Sequence, residues 1–271
     1  AKESVTLGGM GIVGGTSQTV GGTLQATGDI SVQVHGGTAD VSFSMNGTSR
    51  LEAIAATNEP PGVSHNITIT TDQNIQTSGA IDALVSGSLV TLTSNELILI
   101  DGLVKAADQL KLTGGTDETG VGLMVQPFVF ALDANGNAIL EGNGNPIRLS
   151  GGTLTTNVGG TITLATPQKM ILAGVIGEVH GSVPDARSIC VTHLMVTGVV
   201  NAANSIKFRA TNIIVAPNSV IQTRALGGAV DLRATGAFTI GATTAGTNPA
   251  LIQSDALVHL MADTLSLDGQ I

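Results

Sequence analysis

The chain has 271 residues, of which 42% are hydrophobic, 11% charged and 2% aromatic, with 36 Gly, a single Cys and neither Trp nor Tyr. An ordinary globular domain carries about 25% charged residues, so a chain this poor in charge and aromatics must fill its core with small aliphatic side chains in regular, flat layers. The apolar content excludes disorder through low hydrophobicity, and 20 acidic against 11 basic residues, a net charge of −9 with no basic cluster, excludes a nucleic-acid surface.

The start, Ala1-Lys2-Glu3-Ser4-Val5, has no apolar signal-peptide core. Aliphatic runs such as Leu97-Ile98-Leu99-Ile100 fall far short of the roughly 20 residues that cross a bilayer, so no membrane insertion is expected. Gly-Gly pairs at 8–9, 14–15, 21–22 and 36–37 surround the first clear strand, Ile30-Ser31-Val32-Gln33-Val34. Similar pairs at 114–115, 151–152, 159–160 and 227–228 mark corners along the rest of the chain, since glycine reaches positive φ at no steric cost. The stretch 55–64, with Asn58-Glu59-Pro60-Pro61-Gly62, is too rich in Pro and Gly for a strand and is expected to bulge from one corner as a loop.

Beyond that loop, Asn66-Ile67-Thr68-Ile69-Thr70 recurs 23 positions on as Val90-Thr91-Leu92-Thr93, and 20 further on as Leu110-Lys111-Leu112-Thr113. Each copy alternates apolar and polar, the period of a strand with one buried face. Stacking these copies in register predicts outward neighbours: Thr68 with Thr91, Thr70 with Thr93 and Thr113, and Asp82 with Lys105. A flat threonine array can order water at ice, but Lys111 interrupts one rank and the ordinary preference of Thr for β-surfaces accounts for the rest. Exposed ion pairs contribute about 0–1 kcal/mol, so Asp82 with Lys105 marks register more than stability.

The segment 116–146 breaks the pattern. Val129-Phe130-Ala131-Leu132 and Ala138-Ile139-Leu140 flank Asp133-Ala134-Asn135-Gly136-Asn137, which predicts a protruding β-hairpin turned at Asn-Gly. Asp133, Asn135 and Asn137 match the first, third and fifth positions of a calcium loop, but Ala138 stands where its glycine belongs and Gly144 where its bidentate Glu belongs, so a turn is expected and no metal. Phe128 and Phe130 are expected to pack back onto the body of the molecule, with contact to a partner as the alternative.

Thr161-Ile162-Thr163-Leu164-Ala165-Thr166 supplies another copy, and Cys190, between Ile189 and Val191, reads as a small buried side chain with no disulfide partner. In the last quarter, Ile206-Lys207-Phe208-Arg209-Ala210-Thr211 returns after 24 residues as Val230-Asp231-Leu232-Arg233-Ala234-Thr235, and after 28 more as Val258-His259-Leu260-Met261-Ala262-Asp263. A second short strand follows each copy, and a third is expected at 218–223 and 249–254. No stretch of ten or more residues has helical periodicity with caps.

These units imply an all-β, right-handed parallel β-helix of about 20–28 residues per turn, a single domain over 1–271 with the loop 55–64 and the hairpin insertion 116–146. A lone turn burying about six side chains at roughly 1.5–3 kcal/mol each cannot offset about 1–2 kcal/mol for each of some 20 ordered residues. Only stacking completes its burial and its hydrogen bonds. Phe208 should therefore stand over Leu232 and Leu260, Ala210 over Ala234 and Ala262, and Lys207 beside Asp231.

The run apolar-x-apolar-x-Ala followed by Asn, Gly and a short Ile-x-Thr or Ile-x-Ala strand, as in 207–225 and 66–83, resembles the repeats of the filamentous-haemagglutinin type found in bacterial adhesins and two-partner-secreted exoproteins. That family's secretion domain carries Asn-Pro-Asn-Gly near its start, whereas here only Asn145-Pro146-Ile147 comes close, late and without the Gly. The resemblance implies a shaft segment at the bacterial cell surface, extracellular and non-catalytic, with a host or cell-surface ligand.

Chemistry-bearing residues are scattered. His35, His65, His180, His193 and His259 have no ligand spacing with one another or with Cys, so no metal is expected. Asp101, Lys105 and Asp108 are the one group close enough to suggest polysaccharide cleavage. No nucleophile elbow, phosphate loop or dinucleotide fingerprint stands in a suitable context. The expectation is a chain without catalytic, cofactor-binding or metal-ligating residues, whose open ends accept further coils of the same chain or identical subunits. A self-assembling filament or surface-layer subunit and a carbohydrate-active β-helix enzyme are the alternatives.

Overall fold

The computed structural model describes residues 5–8, 19–20, 23–34, 43–134, 137–140, 142, 147–157, 160–176, 186–202, 205–241 and 247–271. Among these the regular elements are all strands, and outside the hairpin they pair in parallel, each with its counterpart one coil away. The chain is a parallel β-solenoid with three faces. One coil runs Ile67–Thr71 on the first face, Ile75–Thr77 on the second and Ala80–Ala83 on the third. The next repeats it as Leu89–Ser94, Ile98–Ile100 and Leu103–Ala106. Ile67 pairs with Val90, Ile75 with Ile98 and Ile81 with Val104, each 23 positions on.

Alternation decides which side chains enter the core. Ile30, Ile67, Val90, Leu110 and Ile162 form one file down the first face, each with 1% or less of its surface exposed. Phe208 stacks on Leu232 and Leu232 on Leu260, as expected, and Ala210 stacks on Ala234. Ala262 packs against the same core, one residue past the end of its strand. Coils are held about 4.8 Å apart by their hydrogen bonds, so a file accepts side chains that fit that thickness. Small aliphatics do so, and two Phe, Phe208 and Phe238, are buried completely.

The corners rest on two devices. Between the second and third faces stands a file of Gly79, Gly102, Gly152, Gly174 and Gly198, whose carbonyls accept the N–H of Leu103, Thr153, Val175, Val199 and Val220. A Cβ on Gly102 would lie 2.0 Å from the Gly79 carbonyl oxygen, and one on Gly174 or Gly198 would lie 2.2 Å from the oxygen of the glycine below. Elsewhere an Asn or Asp side chain accepts the N–H of a residue one coil on: Asp29 from Asn66, Asn66 from Leu89, Asn74 from Leu97, and Asn212 from Ala237. These bonds satisfy backbone donors where the strands stop.

Three features depart from the sequence reading. Val121–Val125, inside the expected insertion 116–146, is a coil strand of the second face, paired with Ile98–Ile100 and with 169–172. The antiparallel excursion begins after it: Val129–Phe130 pairs with Arg148–Ser150, and Leu132 bridges Ala138. The reason is that Leu123 and Val125 continue the buried file of Ile98 and Ile100, which outweighs the glycines around them. Thr161–Leu172 and Ala186–Val196 each run from the first face into the second as single long strands, with a register shift between Thr166 and Lys169 where a break would be expected. Coil length also varies more than expected, from 19 residues between Ala186 and Ser205 to 52 between Leu110 and Ile162, because the hairpin is looped out. The stretch 55–64 carries no strand, with Asn58 and Gly62 at positive φ.

Candidate functional site

The corner after the second face positions the hairpin. Gln126 N–H donates to Ile100 O, Gly151 N–H to Asp101 O, and Gly152 N–H to Gln126 O, so the excursion leaves and re-enters the solenoid at one point. Gly151 sits at φ 125°, where a Cβ would lie 2.3 Å from Phe128 Cδ1. A bare backbone is needed there for the ring to close over the root. Phe128 meets Phe130 edge to face, with centroids 6.0 Å apart. Further out, Ala131 N–H donates to Ile147 O, Ile139 N–H to Ala131 O and Ile147 N–H to Ile139 O, tying three short segments together. Val129, Phe130, Leu132, Ile139, Leu140 and Leu149 all remain exposed, so the excursion turns apolar side chains to solvent.

In the angle between this root and the second face lies a cleft of about 240 Å³ lined by Gln76, Leu99, Asp101, Gln126, Pro127, Val129 and Ser150. Register explains its floor. Gln76 and Leu99 are outward neighbours on adjacent coils, and an apolar file continues from Leu99 through Met124, Ile171 and Met195 to Ile214. The polar groups are largely uncommitted. Asp101 Oδ2 accepts from Ser78 at 3.4 Å, and among the described residues Gln126 Nε2 reaches only the Met124 sulfur at 3.7 Å. The side chains of Gln76 and Ser150 make no hydrogen bond among the described residues.

Asp101, Lys105 and Asp108 do not converge. Asp101 faces the cleft from one corner, Lys105 lies on the third face between Asp82 and Thr155, and Asp108 stands at the next corner, where its carbonyl accepts from Thr161. Of the histidines, buried His65 places Nε2 2.6 Å from Glu59 Oε1, His193 meets Asn212 at 3.0 Å, and His259 meets Asp231 at 3.1 Å. His35 and His180 lie outside the described residues, as do the side chain of Cys190, Asn135 with Gly136 at the expected turn, and Asn145-Pro146. Asn137 N–H donates to Asp133 Oδ1 at 2.9 Å, the geometry of a turn. Among the described residues no three His, Cys, Asp or Glu cluster as metal ligands.

Two charged groupings escaped the sequence reading. On the third face Gln25, Glu52, Asp82 and Lys105 stack in register. Asp82 and Lys105 are neighbours as expected, but it is Arg50 that bonds Asp82, at 3.2 Å, while also holding Glu52 at 2.9 Å. Asp82 Oδ1 is buried with no hydrogen bond among the described residues. Burial raises the Asp82 carboxyl above its ordinary range, against the bond and charge of Arg50 and the charge of Lys105. On the first face Lys207 and Asp231 are register neighbours as expected, yet Asp231 is held by Arg209 at 2.6 Å and Arg233 at 3.0 Å. Burial pushes the Asp231 carboxyl up, but hydrogen bonds from Arg233 and Arg209, with their charges, outweigh it and hold it below the ordinary range. The signal was in the alternation, which sets Arg209 and Arg233 beside Asp231 on the same outward face.

No family description, curated protein or solved structure matches the chain. What its residues establish is a parallel β-solenoid bearing an antiparallel excursion with a polar cleft at the root.

Proposed function

We propose that the chain is a non-catalytic structural element, a β-solenoid segment of an extended bacterial surface adhesin of the filamentous-haemagglutinin kind, working outside the cell to project or build a shaft. The observation that carries this reading is that successive coils repeat the same three faces in register, with Ile30, Ile67, Val90, Leu110 and Ile162 in one buried file. Each coil buries its apolar side chains against its neighbours, so repetition builds length and not a catalytic pocket. Coils stacked in this way serve either a shaft made from one polypeptide or, where copies stack end to end, a filament. The dispersal of Asp101, Lys105 and Asp108 favours both over glycan cleavage.

Electron microscopy and sedimentation velocity over a concentration series test the proposal. Rods that lengthen with concentration support stacking of copies, and monodisperse short rods support a shaft segment. Compact particles with no long axis overturn both.

A further inference from the structure

We infer that the cleft at the hairpin root is a binding site for a single neutral pyranose ring, the terminal or branch sugar of a glycan. This deepens the adhesin reading and needs no end-to-end stacking. The cleft offers donors and acceptors together: two primary amides, Gln76 and Gln126, the Ser150 hydroxyl and the Asp101 carboxylate. None is strongly engaged among the described residues, so a ligand does not have to break these bonds to use them. Vicinal hydroxyls, each both donor and acceptor, satisfy amides and carboxylate at once. Leu99, Pro127 and Val129 supply the apolar flank on which the C–H face of a sugar ring rests.

Size and charge narrow the class. Grid points on the floor repeat at about 4.8 Å between coils and about 7 Å along a strand, the footprint of one ring. The volume of about 240 Å³ lies below the roughly 300–1,000 Å³ of sites that enclose a drug-sized ligand. Among the described residues the cleft is lined by Asp101 and by no Lys or Arg, which disfavours sulfated, phosphorylated or carboxylated sugars. A simple amine would engage Asp101 but leave both amide donors idle.

The test is titration of the ¹⁵N-labelled full chain, followed by amide resonances, with the methyl glycosides of glucose, galactose, mannose and N-acetylglucosamine, and with ethylamine. One glycoside is expected to shift the side-chain amides of Gln76 and Gln126 with a millimolar Kd, and Gln126→Ala and Asp101→Asn are each expected to weaken it at least tenfold. Both residues lie at the surface of the cleft, and unchanged backbone spectra elsewhere will show that the fold survives. Three outcomes overturn the inference: no shift by 50 mM of any glycoside, shifts retained in Gln126→Ala, or a response to ethylamine alone. Rod length by microscopy is read separately, so failure of sugar binding leaves the shaft reading standing and the reverse is equally distinguishable.

Discussion

Two aspartates show how position on the coil sets the sign of a charge's effect. Asp82 has its carboxyl raised by burial above the unfolded value of 3.8, so its favourable contribution exists below that value and is lost as pH rises through the folded one. At pH 7 the carboxylate therefore costs stability. Asp82→Asn keeps an acceptor for Arg50 and is expected to raise the stability of the chain at pH 7 by on the order of 1 kcal/mol, with the gain closing below about pH 4. Urea titrations at the two pH values measure it, and a loss of stability at pH 7 would show that the Arg50 pair dominates. Asp231 is opposite, since its folded value lies below 3.8. Its contribution is present above the unfolded value and disappears as pH falls through the folded one. Asp231→Asn should cost less than about 1 kcal/mol at pH 7, because the arginines it holds are solvent-screened, and the cost should shrink in 1 M salt.

At the level of strands and corners, the glycine file between the second and third faces makes a sharp prediction. Gly102→Ala places a methyl 2.0 Å from the Gly79 carbonyl oxygen, backbone that cannot swing aside. It should lower stability by about 3 kcal/mol, visible as a drop in the urea midpoint. Gly47→Ala is the control, since the nearest atom to its added Cβ is 3.9 Å away, and should change little. The inward files of Ile67, Val90 and Leu110 were legible in the sequence because alternation is a local property of the chain. The glycine file was not, since Gly79, Gly102, Gly152, Gly174 and Gly198 acquire a common role only once their spacings, uneven because of the hairpin, are wrapped into register. For the same reason Asp101 and Gln126 gave no hint of a shared cleft, being 25 positions apart in sequence. The hairpin signal at 129–140 draws Val121–Val125 into the insertion when the sequence is read alone, and burial of Leu123 and Val125 assigns it to a coil.

For the molecule as a whole, end-to-end stacking is tested at the coil that carries Leu265 and Leu267, which continue the files of Phe238 and Ile240. Leu265→Glu with Leu267→Glu puts two charges on the end face while Phe238 and Ile240 still pack against the coils below them. If copies stack, the double variant should sediment as a single short species at concentrations where the parent elongates, with thermal unfolding within a few degrees of the parent. Elongation that survives these charges would mean that copies meet along their sides, for which the apolar file from Leu99 to Ile214 and the exposed hairpin are the available surfaces.

The parallel pairing has a mechanical consequence. The bonds joining coils run along the stacking direction, so a pull on the two ends loads every boundary between coils with the same force, while within a boundary the three faces share it. Yielding begins at the boundary with the fewest bonds. Among the described residues the joints are unequal: on the third face four register pairs join Val199–Ala202 to Val220–Thr223, but two join Val175–Ile176 to Val199–Ala202. A tether made of such coils reaches farther as it lengthens but gives way at the same tension, set by its poorest joint.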